Sequence, residues 1–179
     1  MRLAGLKMLA GLVALSFATV ACSGADSTAP VEEAGYTLYL VRHAEKVLDV
    51  DNPPLTPEGE QRAAKLADLL EDAGIEHIYS TDYLRTETTA APLAVRLDMP
   101  IEFYDPDETD VFVEKLIQRA ETALIVGHSN TTPELVDALG GDGGEPIVEA
   151  TEYDRLYVLT GVGAEEVITE IRRYGAPNG

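Results

Sequence analysis

The sequence predicts an α/β protein, a three-layer sandwich on a largely parallel central sheet. Three observations predict it. Short runs such as residues 36–41 (YTLYLV) and 123–126 (ALIV) are apolar or aromatic on both alternating faces, which suits strands buried on both sides of a sheet. Between such runs lie stretches with helical apolar spacing and capping residues. The 179 residues, 45% of them hydrophobic, are enough for one ordinary core and few for two.

The elements follow in order. Residues 36–41 form the first strand. Thr56 supplies an N-cap hydroxyl and Pro57 the first helical position, with Ala63, Leu66, Leu69, Leu70 and Ala73 at helical spacing before Gly74. Residues 77–80 then read as a strand, 83–97 as a helix bent at Pro92, and 101–104 as a strand. A helix over 110–120 follows, with Thr109 as its cap, and 123–126 is the next buried strand. Thr132 and Pro133 open a short helix closed by Gly140 and Gly141, and 140–146 (GGDGGEP) is a loop. Residues 156–160 read as a strand, and 166–172 as either a strand or a helix. Such alternation of strand and helix gives a parallel sheet, with ligands bound beyond the carboxyl ends of its strands.

The start of the chain reads as something to be removed. Residues 1–21 carry Arg2 and Lys7, then an apolar run from Met8 to Val20, as an export signal does. That run is short for a membrane span, which needs roughly 18 or more apolar residues. Cys22, the single cysteine, follows Thr19, Val20 and Ala21 and excludes an intrachain disulfide. The box resembles a bacterial lipoprotein cleavage site, with Thr19 departing from the usual leucine; the resemblance implies a lipid on Cys22. Residues 22–35 then act as a tether to a domain over 36–179. This predicts an exported protein, periplasmic or at the cell surface, touching membrane only through its anchor. The formal charge of −19 opposes binding to nucleic acid or anionic lipid, so any anion site is a local exception.

That exception is visible at the strand ends. Arg42 and His43 follow the first strand, Ser80, Thr81 and Asp82 with Arg85 the second, residues 105–108 the third, and Gly127, His128 and Ser129 the fourth. Two guanidiniums suit the oxygens of a tetrahedral dianion, and a neutral imidazole is a competent nucleophile. Phosphoryl transfer needs both, together with a proton donor for the leaving alkoxide.

The stretches VRHAEK, LTPEGEQRA, YSTDYLRTETTA and IVGHSN together resemble the histidine phosphatase superfamily, of phosphoglycerate mutase-like fold, over residues 36 to about 130. The resemblance implies that His43 is the phosphorylated nucleophile, that Arg42, Arg85 and His128 hold the phosphoryl oxygens, and that neither metal nor cofactor is needed. The phytase and acid phosphatase branch is set aside, because Glu45, Lys46 and Ser129 stand where its motifs have other residues. Four carboxylates are open as proton donor: Asp105, Asp107, Glu108 and Glu45. Asp105 is favoured because it directly follows the third strand, while Glu45 also suits orienting an imidazole or pairing with an arginine. Arg85 could instead pair with Asp82 or Glu87, and His77, inside a strand, is expected to be structural. The histidines lack the short spacing of a metal site.

The expected function is hydrolysis of a small phosphomonoester, or of a phosphoprotein, through phosphohistidine on His43. Two alternatives are a phosphohistidine phosphatase and a surface lipoprotein that binds a phosphorylated ligand without turning it over. A phosphoglycerate mutase fits less well, for want of chain to form a closing lid.

Overall fold

Among the described residues, 35–177, ten elements follow in order in this computed structural model, strand and helix alternating up to the last two strands: β1 (Thr37–Arg42), α1 (Pro57–Leu70), β2 (His77–Ser80), α2 (Leu84–Leu97), β3 (Ile101–Phe103), α3 (Thr109–Arg119), β4 (Ala123–Gly127), α4 (Thr131–Ala138), β5 (Arg155–Thr160) and β6 (Ile168–Arg173). The expected signal, Cys22 and nearly all of the expected tether lie outside these residues. None of the described helices is long and apolar enough to cross a membrane.

The strands form one sheet in the order β3-β2-β4-β1-β5-β6. Pairings β3/β2, β2/β4 and β4/β1 are parallel, but β1/β5 and β5/β6 are antiparallel. The sheet is therefore mixed, which corrects the largely parallel expectation. A parallel neighbour needs a crossover, and α1, α2 and α3 supply one each for β2, β3 and β4. After α4 the chain instead returns beside β1 from the opposite direction. A short turn with positive φ at Gly161 and Gly163 then joins β5 to β6, so residues 166–172 hold a strand and no helix.

Alternation along the buried strands feeds two cores. Leu38 and Leu40 of β1 and Ile125 of β4 meet Phe112 and Leu116 of α3 and Leu135 and Val136 of α4. Val41, Leu124 and Val126 point the other way, onto Leu66 and Leu70 of α1 and Ala90 and Leu93 of α2. That is a three-layer arrangement, with roughly 1.5–3 kcal/mol from each large apolar side chain fully buried. Two cap assignments separate. Thr56 Oγ1 accepts from Gly59 N at 3.2 Å as expected. Thr109 is the first residue of α3 rather than its cap, which is Glu108 without a side-chain bond; the Thr109 hydroxyl donates to Pro106 O at 3.1 Å.

α1 is pressed against the segment that follows β1. Thr56 N donates to Glu45 O at 2.9 Å, and a Cβ on Gly59 would strike that same oxygen. Alanine there gains about 0.5–1 kcal/mol of helix propensity. The clash outweighs the gain, because a backbone oxygen cannot rotate aside. Gly59→Ala is expected to cost about 1–3 kcal/mol net, read as a lower urea midpoint with unchanged slope.

Candidate active site

Residues at the carboxyl ends of β1, β2 and β4 converge. His43 N donates to Gly127 O at 2.9 Å, which extends the β1/β4 ladder by one bond. The rings of His43 and His128 lie 5.6 Å apart between centroids, at 66°. Arg85 Nη2 donates to His128 Nδ1 at 3.3 Å, so Arg85 pairs with neither Asp82 nor Glu87. Arg42 lies over the Tyr153 ring at 4.1 Å, and its Nη1 donates to Glu152 O at 3.0 Å. Although Arg42 is only 2% exposed, its Nε and Nη2 have no partner among the described residues, nor does Arg85 Nε.

Hydrogen bonds fix the imidazoles. His43 Nδ1–H donates to Ala44 O at 2.8 Å, which leaves a lone pair on Nε2. Ala44 is held in turn by Thr89, whose Oγ1 accepts from Ala44 N at 3.0 Å and donates to Arg85 O at 2.7 Å. With Nδ1 of His128 accepting from Arg85, its Nε2–H donates to Thr81 Oγ1 at 3.0 Å, and Thr81 passes its hydroxyl hydrogen to Thr86 Oγ1 at 2.9 Å.

Burial pulls the His43 pKa down to about 3, helped by Arg42, Arg85 and His128 and opposed by the Ala44 carbonyl. Burial, then Arg85, Arg42 and Lys46, bring His128 to about 4. Both rings are neutral at pH 7. From pH 6.5 down to about 4 the unfolded chain therefore holds more protons than the folded one, and acid lowers stability by up to about 1.4 kcal/mol per pH unit for each histidine. Thermal midpoints measured from pH 7 to 4.5 should fall more shallowly in His43→Ala than in the parent.

A cavity of about 290 Å³ is lined by His43, Arg85 and His128, with Lys46, Asp107 and Glu149 also among its walls. A larger one, about 800 Å³, lies by Arg62, Tyr153 and Gly175 and holds neither of these histidines. Of the four carboxylates expected as donors, Asp107 alone lines the histidine cavity. β3 stops at Phe103, and Asp105 turns back so that its Oδ1 accepts from Asp107 N at 2.9 Å. Asp105 lines an adjoining cavity of about 460 Å³ instead. Glu108 caps α3. Glu45 takes its arginine-pairing alternative, for its oxygens accept from Arg62 Nε at 3.0 Å and Nη2 at 2.7 Å.

No local pattern marked Tyr153 or Glu149, which come from the segment between α4 and β5. Glu149 acts electrostatically on both Arg42 and Arg85 and lies 3.7 Å from Lys46. His77, at the opposite end of β2, has Nδ1 2.6 Å from Glu102 and Nε2 2.6 Å from Glu121. Among the described residues no group of three or more His, Cys, Asp or Glu is placed to hold a metal ion.

Residues 38–106 match the histidine phosphatase superfamily (branch 1). The probable phosphoglycerate mutase GpmB of Escherichia fergusonii is 32% identical over 126 residues, 64% of this chain. The chain spans 58% of that relative's length. The fold is similar to that of the protein histidine phosphatase SixA complexed with tungstate, at a TM-score of 0.60 and 19% identity, covering 79% of this chain and 97% of that one. It is also similar to the mycobacterial glucosyl-3-phosphoglycerate phosphatase, at a TM-score of 0.60 and 13% identity, covering 80% and 100%. Residues 38–106, which bring His43 and Arg85 to one cavity, are thus similar to the histidine phosphatase superfamily, branch 1.

Proposed function

We propose that the chain is a phosphatase that hydrolyses a phosphomonoester through a phosphohistidine on His43. One observation carries this: a neutral imidazole with a free Nε2 lone pair near buried guanidinium nitrogens, Arg42 Nε and Nη2 and Arg85 Nε, that have no partner among the described residues. The lone pair attacks phosphorus in line with the ester bond, the P–N bond forms, and the P–O bond to the alcohol breaks. Arg42, Arg85 and His128 take up charge on the equatorial oxygens. Asp107, the carboxyl shared by this cavity and its neighbour, hands a proton to the departing alkoxide and then takes one from the water that attacks the phosphohistidine. Phosphate leaves and Nε2 is restored. Glu149 is the lesser candidate for donor, since it already faces Lys46.

Rapid quenching with labelled substrate in the presence of a chelator tests this. An acid-labile, base-stable phosphoryl group on His43 is expected, and steady turnover without such a label overturns it. The likeness to SixA supports a second reading, a phosphohistidine phosphatase acting on a protein, whose imidazole leaving group needs less help from an acid. Loss of Asp107 would then leave turnover nearly intact. A pocket that binds vanadate and never turns over would be the non-catalytic binder.

We also propose export and a lipid on Cys22, supported by the basic start, the apolar run and the residues before the cysteine. Mass spectrometry of the processed protein is expected to show Cys22 as a lipidated first residue, and an unmodified thiol there would refute it.

A further inference from the structure

We propose that the site selects phosphomonoesters whose alcohol part carries no negative charge, and favours those whose alcohol part carries an ammonium group. This rests on the phosphatase reading above. Two cavities meet at the site: the one of about 290 Å³ around the histidines and the one of about 460 Å³ that shares Tyr83, Pro106 and Asp107 with it. A phosphoryl group seated in the first leaves its alcohol part the shared wall and the second cavity to occupy.

The two cavities have opposite character. The first is lined by Arg85 and Lys46, with Arg42 acting electrostatically on both of its histidines, and Arg85 Nε, buried and without a partner among the described residues, calls for an anionic ligand at that end. The second cavity is lined by Asp82, Asp105 and Asp107 and by no basic side chain. Phe103, 51% exposed, offers it a ring, and Tyr83 offers another, though Arg85 already sits 4.5 Å over that ring. Carboxylates beside an exposed aromatic ring suit an alkylammonium, through charge and through the negative face of the ring. Across the mouth, Glu149 adds a further carboxylate, and Lys46, the ammonium in that wall, lies 3.7 Å from it. A ligand that fits both ends is a small molecule with a phosphoryl dianion at one end and a cation or neutral group at the other. A carboxylated alcohol such as glycerate would bring like charge to the acidic wall.

Contacts of this sort at a wet surface are each worth a few-fold, so two or three together give about a tenfold preference. The preference should shrink with salt, as the screening length drops from about 30 Å at 0.01 M to about 8 Å at 0.15 M.

The test compares kcat/KM for phosphocholine, glycerol phosphate and 3-phosphoglycerate, with ammonium, neutral and carboxylated alcohols. The expected order is that sequence, with steps of about tenfold at low salt. The double variant Asp82→Asn/Asp105→Asn should compress the spread several-fold. Asparagine at 105 can still accept from Asp107 N, which keeps the turn. Turnover of 3-phosphoglycerate as fast as glycerol phosphate, or a spread untouched by the double variant, overturns the proposal. Calorimetric binding of the same three compounds to His43→Ala decides it separately from chemistry. If nothing is hydrolysed, the phosphatase reading fails, and the binding order still stands or falls by itself.

Discussion

His43→Ala is expected to lower phosphatase turnover by at least about 10⁴-fold. The ring supplies the only free imidazole lone pair in the cavity, because His128 commits Nδ1 to Arg85 and Nε2–H to Thr81. His128 therefore cannot take over as nucleophile without breaking both bonds. The loss should appear in kcat rather than in vanadate binding, since Arg42 and Arg85 remain. His43 is 3% exposed, so a small cavity will cost some stability, and a circular-dichroism melt shows whether the variant is folded at the assay temperature. Turnover within about tenfold of the parent in a folded His43→Ala protein would end the phosphohistidine mechanism.

Arg42→Met is expected to separate stability from activity. Arg42 is buried with Nη1 bonded to Glu152 O, and its Nε and Nη2 have no partner among the described residues. An unpaired buried charge is costly, and an apolar side chain of similar length removes that cost along with the contact to Tyr153. The unliganded variant should melt no lower than the parent. Its kcat/KM should fall by about 10³-fold, the scale of losing a preorganised donor to the transition-state oxyanion. Inorganic phosphate should raise the melting temperature of the parent and leave the variant's nearly unchanged. A variant that melts well below the parent while keeping its kcat/KM would show that Arg42 serves packing instead.

Much of this site was legible because each part sits at the end of a run with a clear physical signature. β1 and β4 are apolar on both faces, so the residues after them, His43 and His128, had to lie at one edge of the sheet. Thr56, Pro57 and the spacing of Leu66 and Leu70 announced α1 in the same local way. Tyr153 and Glu149 were not legible. They belong to a segment without periodicity, and their role depends on which strand β5 pairs with.

The amino-acid sequence by itself determined the strand and helix alternation, the strand-end placement of two histidines and two arginines, and the family those motifs resemble. These follow from local patterns, each readable within a few residues. Tertiary structure alone decided that the sheet is mixed, that Glu45 belongs to Arg62, and that Asp107 rather than Asp105 lines the histidine cavity. Those outcomes turn on contacts between residues far apart in the chain or on which way a loop turns a carboxylate, and no local pattern encodes either.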